Sequence, residues 1–327
     1  MDTAILDRPL VTPHGLQNMQ AWRVHEFGST DAMALETVAR PRPGEGEILV
    51  KVAAVGVGPW DGWIRSGHSA LPQPLPLTLG SDLAGTVAAV GNGVTGFAVG
   101  EAVYGVTNGQ FTGAYADYAI ASAAMMAGKP ESLTDVEAAS VPVIAVTAWQ
   151  ALFEQARVGP GQTVLIHGAA GNVGAYAVQF ARQAEARVIA TVGAADIETV
   201  RNLGADVVID YRTQRFEDVA HDVDVVIDLV GGDIQARSFP VLKRGGTLVL
   251  AVSKPDRALA EKHGVNALFF LVEVTTMDLT RIAEMIDAGE LKVNIGKVLP
   301  FGDARIAHEM MEGARPNVRG KIVLSVN

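Results

Sequence analysis

The chain contains no cysteine among its 327 residues. That absence excludes disulfides, thiolate-bound zinc and a thiol nucleophile together. Positive charge is also scarce: 26 Lys and Arg against 36 Asp and Glu leave a net charge of −10. A surface of that sign disfavours nucleic acid and anionic membrane as partners. No apolar run approaches the ~20 residues needed to span a bilayer, so no membrane insertion is expected. Asp2, Asp7, Arg8 and Pro13 interrupt any apolar stretch at the N-terminus, which therefore does not read as a secretory signal. With the thiol-free composition, this makes a cytoplasmic setting the expectation. Internal repeats and low-complexity segments are missing too.

What is present is ample material for a core, with 49% hydrophobic and 19% charged residues, on a length that suits two domains. Residues 1–18 are polar, hold two prolines and show no periodicity, and are expected to form a flexible extension. From 19 to 142 the pattern is one of short strands, such as Ile48–Val55, Ala84–Val90 and Ala102–Val106, parted by Pro/Gly turns. From 143 to 275 strands alternate with helices. The expected strands are Val164–Ile166, Arg187–Thr191, Val207–Ile209, Val223–Ile227, Thr247–Val252 and Ala267–Val272; the expected helices include 173–184, 196–202 and 234–242. This alternation predicts an α/β fold with a parallel sheet covered on both faces. From 276 to 327 two further helices, Thr280–Ala288 and Asp303–Glu312, and a last strand, Lys321–Val326, form a return segment.

The segment Thr163–Gly174 reads TVLIHGAAGNVG. An apolar strand runs into a glycine-rich turn and then into a helical stripe of Val173, Ala177, Val178, Phe180, Ala181 and Ala184. Gly171 lets backbone approach a phosphate, Gly174 lets the helix pack on the strand, and the helix N-terminus offers free N–H groups to a pyrophosphate. Ala169 takes the first glycine position of the full G-x-G-x-x-G pattern. Ala170, Gly171, Asn172, Val173 and Gly174 are thus candidate cofactor ligands. Twenty residues past Gly171, where an NAD-specific fold places an acid for the ribose, stands Thr191, near Gly193. A missing carboxylate permits the 2′-phosphate of NADP, although no Lys or Arg lies in 191–200 to attract it.

Six motifs in order resemble the medium-chain dehydrogenase/reductase superfamily. They are Gly80–Gly91 with Val99–Tyr104, Gly113–Tyr118, Val146–Leu152, the glycine turn, Leu203–Tyr211 and Gly320–Leu324. The resemblance covers about residues 19–327 and is nearest to the zinc-free, NADPH-dependent quinone oxidoreductases related to zeta-crystallin. It implies a GroES-like β domain, a Rossmann doubly wound parallel sheet, an active site in the cleft between them, and a homodimer. Zinc-dependent members carry a Cys and a His where Gly58 and Ser81 stand here, so the resemblance implies no metal site. The family's Asn-Pro-x-Asp loop is Gly58-Pro-Trp-Asp61 here, and its phosphate-gripping lysine corresponds to Ile197. Tyr211 is kept, and Trp63 preserves an aromatic after the Asp.

The resemblance places Thr147 beside the nicotinamide; the residue also suits a helix N-cap before Ala148–Phe153. Leu229 and Val230 follow the fourth Rossmann strand, where cofactors lie, and packing alone would equally account for Val230. Phe269 and Phe270 match a segment near the nicotinamide and equally suit core or a dimer edge. His68 is the one candidate catalytic residue: a donor with a pKa near 7 suits reduction of an enone or quinone, whereas an exposed loop histidine would do nothing. The expected activity is hydride transfer from NADPH, with NADH as a possible substitute, to a small-molecule quinone or α,β-unsaturated carbonyl. An enoyl-thioester reductase and a non-catalytic NADP(H)-binding sensor or structural protein are the alternatives.

Overall fold

The computed structural model describes residues 17–316 and 318–326. Residues 1–16 of the expected extension lie outside this range. The sheet starts earlier than expected, at Asn18, and Gln17 already accepts hydrogen bonds from the Arg40 backbone at 2.8 Å and the Arg40 side chain at 2.7 Å.

The first lobe holds strands β1 (Asn18–Val24), β2 (Met33–Ala39), β3 (Glu47–Val57), β4 (Leu77–Thr78), β5 (Asp82–Val90), β6 (Ala102–Val106), β7 (Tyr118–Ser122) and β8 (Met126–Gly128), with helix α1 (Pro59–Ser66) after β3. β3 reads EILVKVAAVGV and is buried along nearly its whole length. Such a continuous apolar run suits a central strand covered on both faces. It pairs with β5, β7 and, from the far end of the chain, β16 (Lys321–Ser325). β15 (Ile295–Pro300) pairs with β16, and α9 (Ala304–Met311) packs with them.

Two short helices, α2 (Asp135–Ala138) and α3 (Pro142–Trp149), lead into the second lobe. Its six strands are β9 (Thr163–His167), β10 (Arg187–Val192), β11 (Val207–Asp210), β12 (Val223–Asp228), β13 (Leu242–Leu250) and β14 (Asn266–Phe269). All neighbours pair in parallel, in the order β11-β10-β9-β12-β13-β14. This is the doubly wound Rossmann order, with its switch point between β9 and β12. Helices α4 (Asn172–Gln183), α5 (Ile197–Asn202), α6 (Asp233–Ser238) and α7 (Arg257–His263) connect the strands, and α8 (Thr276–Asp287) follows β14. Leu279, Ile282 and Ile286 of α8 share one core with β9, β10 and α4.

Three sequence expectations shift. The helix at 234–242 ends at Ser238, because Pro240 turns the chain through a short 3₁₀ segment and β13 begins at Leu242, not Thr247. The last sheet strand stops at Phe269, short of Val272. Thr147 is not an N-cap: α3 starts at Pro142, so Thr147 lies inside the helix and its hydroxyl donates to the Val143 carbonyl at 2.6 Å.

Candidate active site

The turn after β9 works through backbone geometry. Gly168 has φ +73°, a left-handed conformation that favours glycine. A Cβ on Gly174 would sit 2.3 Å from the Gly168 carbonyl, so only glycine lets α4 start this close to the strand. Gly171 occupies the N-cap of α4 and supplies no side chain, which leaves the first-turn N–H groups to an anion. A cavity of about 640 Å³ opens beside this turn, along the carboxyl ends of β9, β10, β11 and β12. Ala170, Gly171, Thr191, Gly193, Tyr211 and Val230, all candidates from the sequence, line it.

Charged lining residues went unread in the sequence. Arg319 comes from the loop before β16 and crosses to the second lobe. It donates to the Ala195 carbonyl at 2.9 Å and pairs with Asp196 at 2.5 Å. Arg212, next to Tyr211, faces the same space. Arg237 also lines it but is gripped by Glu217 through two bonds, at 2.7 and 2.9 Å. The segment 191–200 holds no cation of its own. The cations instead arrive from later strands and from the other lobe, and only folding reveals them. His167 lies at the cavity wall too, 1% exposed, with burial pushing its pKa down to about 3.

Asn172, Val173 and Gly174 form the first turn of α4, whose N–H groups Gly171 leaves uncapped. Leu229 and Phe270 pack against one face of the Rossmann core and Phe269 against the other. Trp63 is exposed on α1. His68 is exposed just beyond α1, with Nδ1 2.9 Å from the Ser66 hydroxyl.

The Gly58 region holds the second polar cluster. A Cβ on Gly58 would lie 2.4 Å from the Trp60 indole, so that ring fills the space where a larger residue would sit. The indole N–H of Trp60 donates to the Ser81 hydroxyl at 3.1 Å, and its ring lies 4.4 Å from the Lys321 ammonium. Lys321 and Asp82, both fully buried, pair at 2.8 Å. Asp82 also accepts from Val143 N–H at the start of α3, at 3.2 Å. Asp61 is fully buried; its carboxylate accepts from Gly58 N–H at 2.8 Å and from the Tyr115 hydroxyl at 3.2 Å. Burial pushes its pKa up to about 7, against the hydrogen bond from Gly58. Gly58 and Ser81 thus lie in a packed interior. Among the described residues, no group of three or more His, Cys, Asp or Glu could hold a metal ion.

Comparisons with known proteins agree with this layout. The alcohol dehydrogenase GroES-like domain matches residues 44–131, and the family described as zinc-binding dehydrogenase matches residues 203–324. The chain is 32% identical to the quinone oxidoreductase of Sus scrofa, over 95% of this chain and 98% of that protein. It is also 32% identical to the 2-methylene-furan-3-one reductase of Solanum lycopersicum, over 94% of this chain and 79% of that one. The solved quinone oxidoreductase of Escherichia coli complexed with NADPH superposes with a TM-score of 0.84 at 28% identity, covering 94% of this chain and all of that chain.

The chain belongs to the zinc-free quinone oxidoreductase branch of the medium-chain dehydrogenase/reductase superfamily. It is an oxidoreductase. The reductase departs from the zinc-dependent members at the Gly58–Ser81 cluster, where Trp60 and the Lys321–Asp82 pair fill the interior. Among its described residues, no helix is long and apolar enough to cross a membrane.

Proposed function

We propose that the reductase uses NADPH in preference to NADH to reduce a quinone or an α,β-unsaturated carbonyl. The observation that carries the cofactor choice is the pairing of Arg319 with Asp196. Asp196 is the one acid on the Gly193–Asp196 rim, and its charge would repel a 2′-phosphate; Arg319 cancels it, and Arg212 adds a positive charge on the same side. The glycine turn and the α4 N-terminus fit a pyrophosphate, and Thr191 and Tyr211 stand where an adenosine ribose would lie. When bound, the nicotinamide supplies the hydride. The chain positions the nucleotide across the sheet edge, with Val230 exposed at the lip of the cavity. NADPH named for the Escherichia coli relative, and the quinone and furanone named for the others, support this reading.

Reduction also needs a proton at the product oxygen. His68 is proposed as the donor, on an exposed turn where bulk water can reprotonate it. Steady-state titration of both cofactors against a quinone and an enone panel tests the activity; tighter binding of NADH would overturn the cofactor choice. For His68→Ala, the proposal expects turnover to fall about 10²–10⁴-fold with cofactor affinity kept. An unchanged rate from pH 5 to 9 would assign the proton to water. The outer edge strand of the Rossmann sheet, β14, is proposed as the homodimer contact, which sedimentation would test.

A further inference from the structure

The wall of the nucleotide cavity contains a line of hydrogen bonds whose direction follows from the shortest of them. Ser238, at the end of α6, has a single hydroxyl proton. Its oxygen lies 2.7 Å from the Ile234 carbonyl, which can only accept. Toward its other neighbour, His167 Nε2 at 3.2 Å, Ser238 therefore accepts, and Nε2 carries the ring proton. The imidazole is buried, its edge meets the Phe216 ring at 4.5 Å between centroids, and it stays neutral through the physiological range. Its Nδ1 is thus a bare acceptor. Thr191 Oγ1 lies 3.0 Å from it, so the Thr191 proton points into the wall. Only lone pairs of Thr191 are left for the cavity that this residue lines.

We propose that His167 and Ser238 are positioning residues that fix the Thr191 hydroxyl as an obligate acceptor for a sugar hydroxyl of the bound nucleotide. This rests on the nucleotide reading of the cavity. It makes Thr191 a specificity-determining residue. The ribose hydroxyl left free beside the 2′-phosphate of NADPH donates to it, whereas a sugar lacking that hydroxyl finds no partner.

The test compares ADP with 2′,3′-dideoxy-ADP by calorimetry, using the full chain. The wild type should bind ADP about 3–10-fold more tightly, the span of one neutral hydrogen bond. Thr191→Val should bring that ratio to about one, and Thr191→Ser should restore it. Nitrogen-15 spectra of the histidine side chains, assigned with a His167→Gln variant, should show the Nε2–H tautomer in the wild type. In Ser238→Ala, which removes the acceptor for that proton, the tautomer should shift toward Nδ1–H and the ADP preference should fall with it. An Nδ1–H tautomer in the wild type, or an ADP preference that survives Thr191→Val, overturns the proposal alone. If neither ADP nor NADPH binds the wild type, the nucleotide reading falls and the named ligand falls with it.

Discussion

In the first lobe, Trp60, Asp61, Asp82 and Lys321 fill their interior until a single Cβ on Gly58 would overlap the indole. In the second lobe, Thr191, Asp196, Tyr211, Arg212 and Arg319 stand around about 640 Å³ of open space. Both clusters hold acids and bases; they differ in what satisfies them. In the first, Asp82 and Lys321 satisfy each other, so removing one strands its partner. In the second, glycines at 168, 171 and 174 keep side chains out of the way, and polar groups face a space that a ligand can enter. One cluster should therefore govern stability and the other binding.

The largest effect tests the filled cluster. Lys321→Met should lower unfolding free energy by about 3–5 kcal/mol, because Asp82 is left buried without its counter-ion. Urea denaturation reads this, and nucleotide affinity at low temperature should hold within about threefold. If affinity collapses while stability survives, the division of labour is wrong.

Next comes the open cluster. Gly174→Ala places a methyl 2.3 Å from the Gly168 carbonyl, which must move and take the phosphate turn with it. Nucleotide affinity should fall about 10- to 100-fold, or roughly 1.4–2.8 kcal/mol, in a fluorescence titration. A smaller, more selective loss is expected for Arg319→Ala, which uncovers Asp196. NADPH should weaken about tenfold, the low end of a charge-assisted contact, while NADH changes by less than about twofold. Equal weakening of both would mean that Arg319 supports the loop rather than the choice of cofactor.

The remaining effect, read as a slope against pH, sharpens the electrostatics of the filled cluster. Asp61 titrates at about 7 when folded and near 3.8 when unfolded, because burial disfavours its charge. Between these values the folded chain keeps a proton that the unfolded chain has released, so this group's contribution to stability declines as pH rises from about 4 to 7. Asp61→Asn should flatten that part of the stability–pH curve, and melting temperatures across pH 4–8 would show it. An unaltered slope would mean that Asp61 is already ionised in the fold.

The parts of this architecture that were legible in the sequence are those written locally. The glycine spacing of 168–174 and the alternation of strands and helices after residue 143 depend on neighbours within a few residues, and β9, α4 and β10 form where the pattern places them. Thr147 lies inside a helix rather than at its N-cap, and a local signal for this exists: Pro142 suits the first helical position and starts α3 six residues before Ala148. Arg319 had no such signal, since its partner Ala195 lies 124 positions away. The hydroxyl direction at Thr191 depends on His167 and Ser238, which only the stacking of β9, β10 and α6 brings together.

Arg319 belongs by chain to the segment that enters β16, yet its guanidinium is anchored on the rim of β10. Two residues further on, Lys321 is locked to Asp82, which in turn holds the first turn of α3. The two lobes are therefore tied at two separate places, the rim of the cavity and the packed cluster around Gly58. A movement of one lobe against the other must break one of these ties or carry both with it, so the short segment from Arg319 to Lys321 couples the open cluster to the filled one.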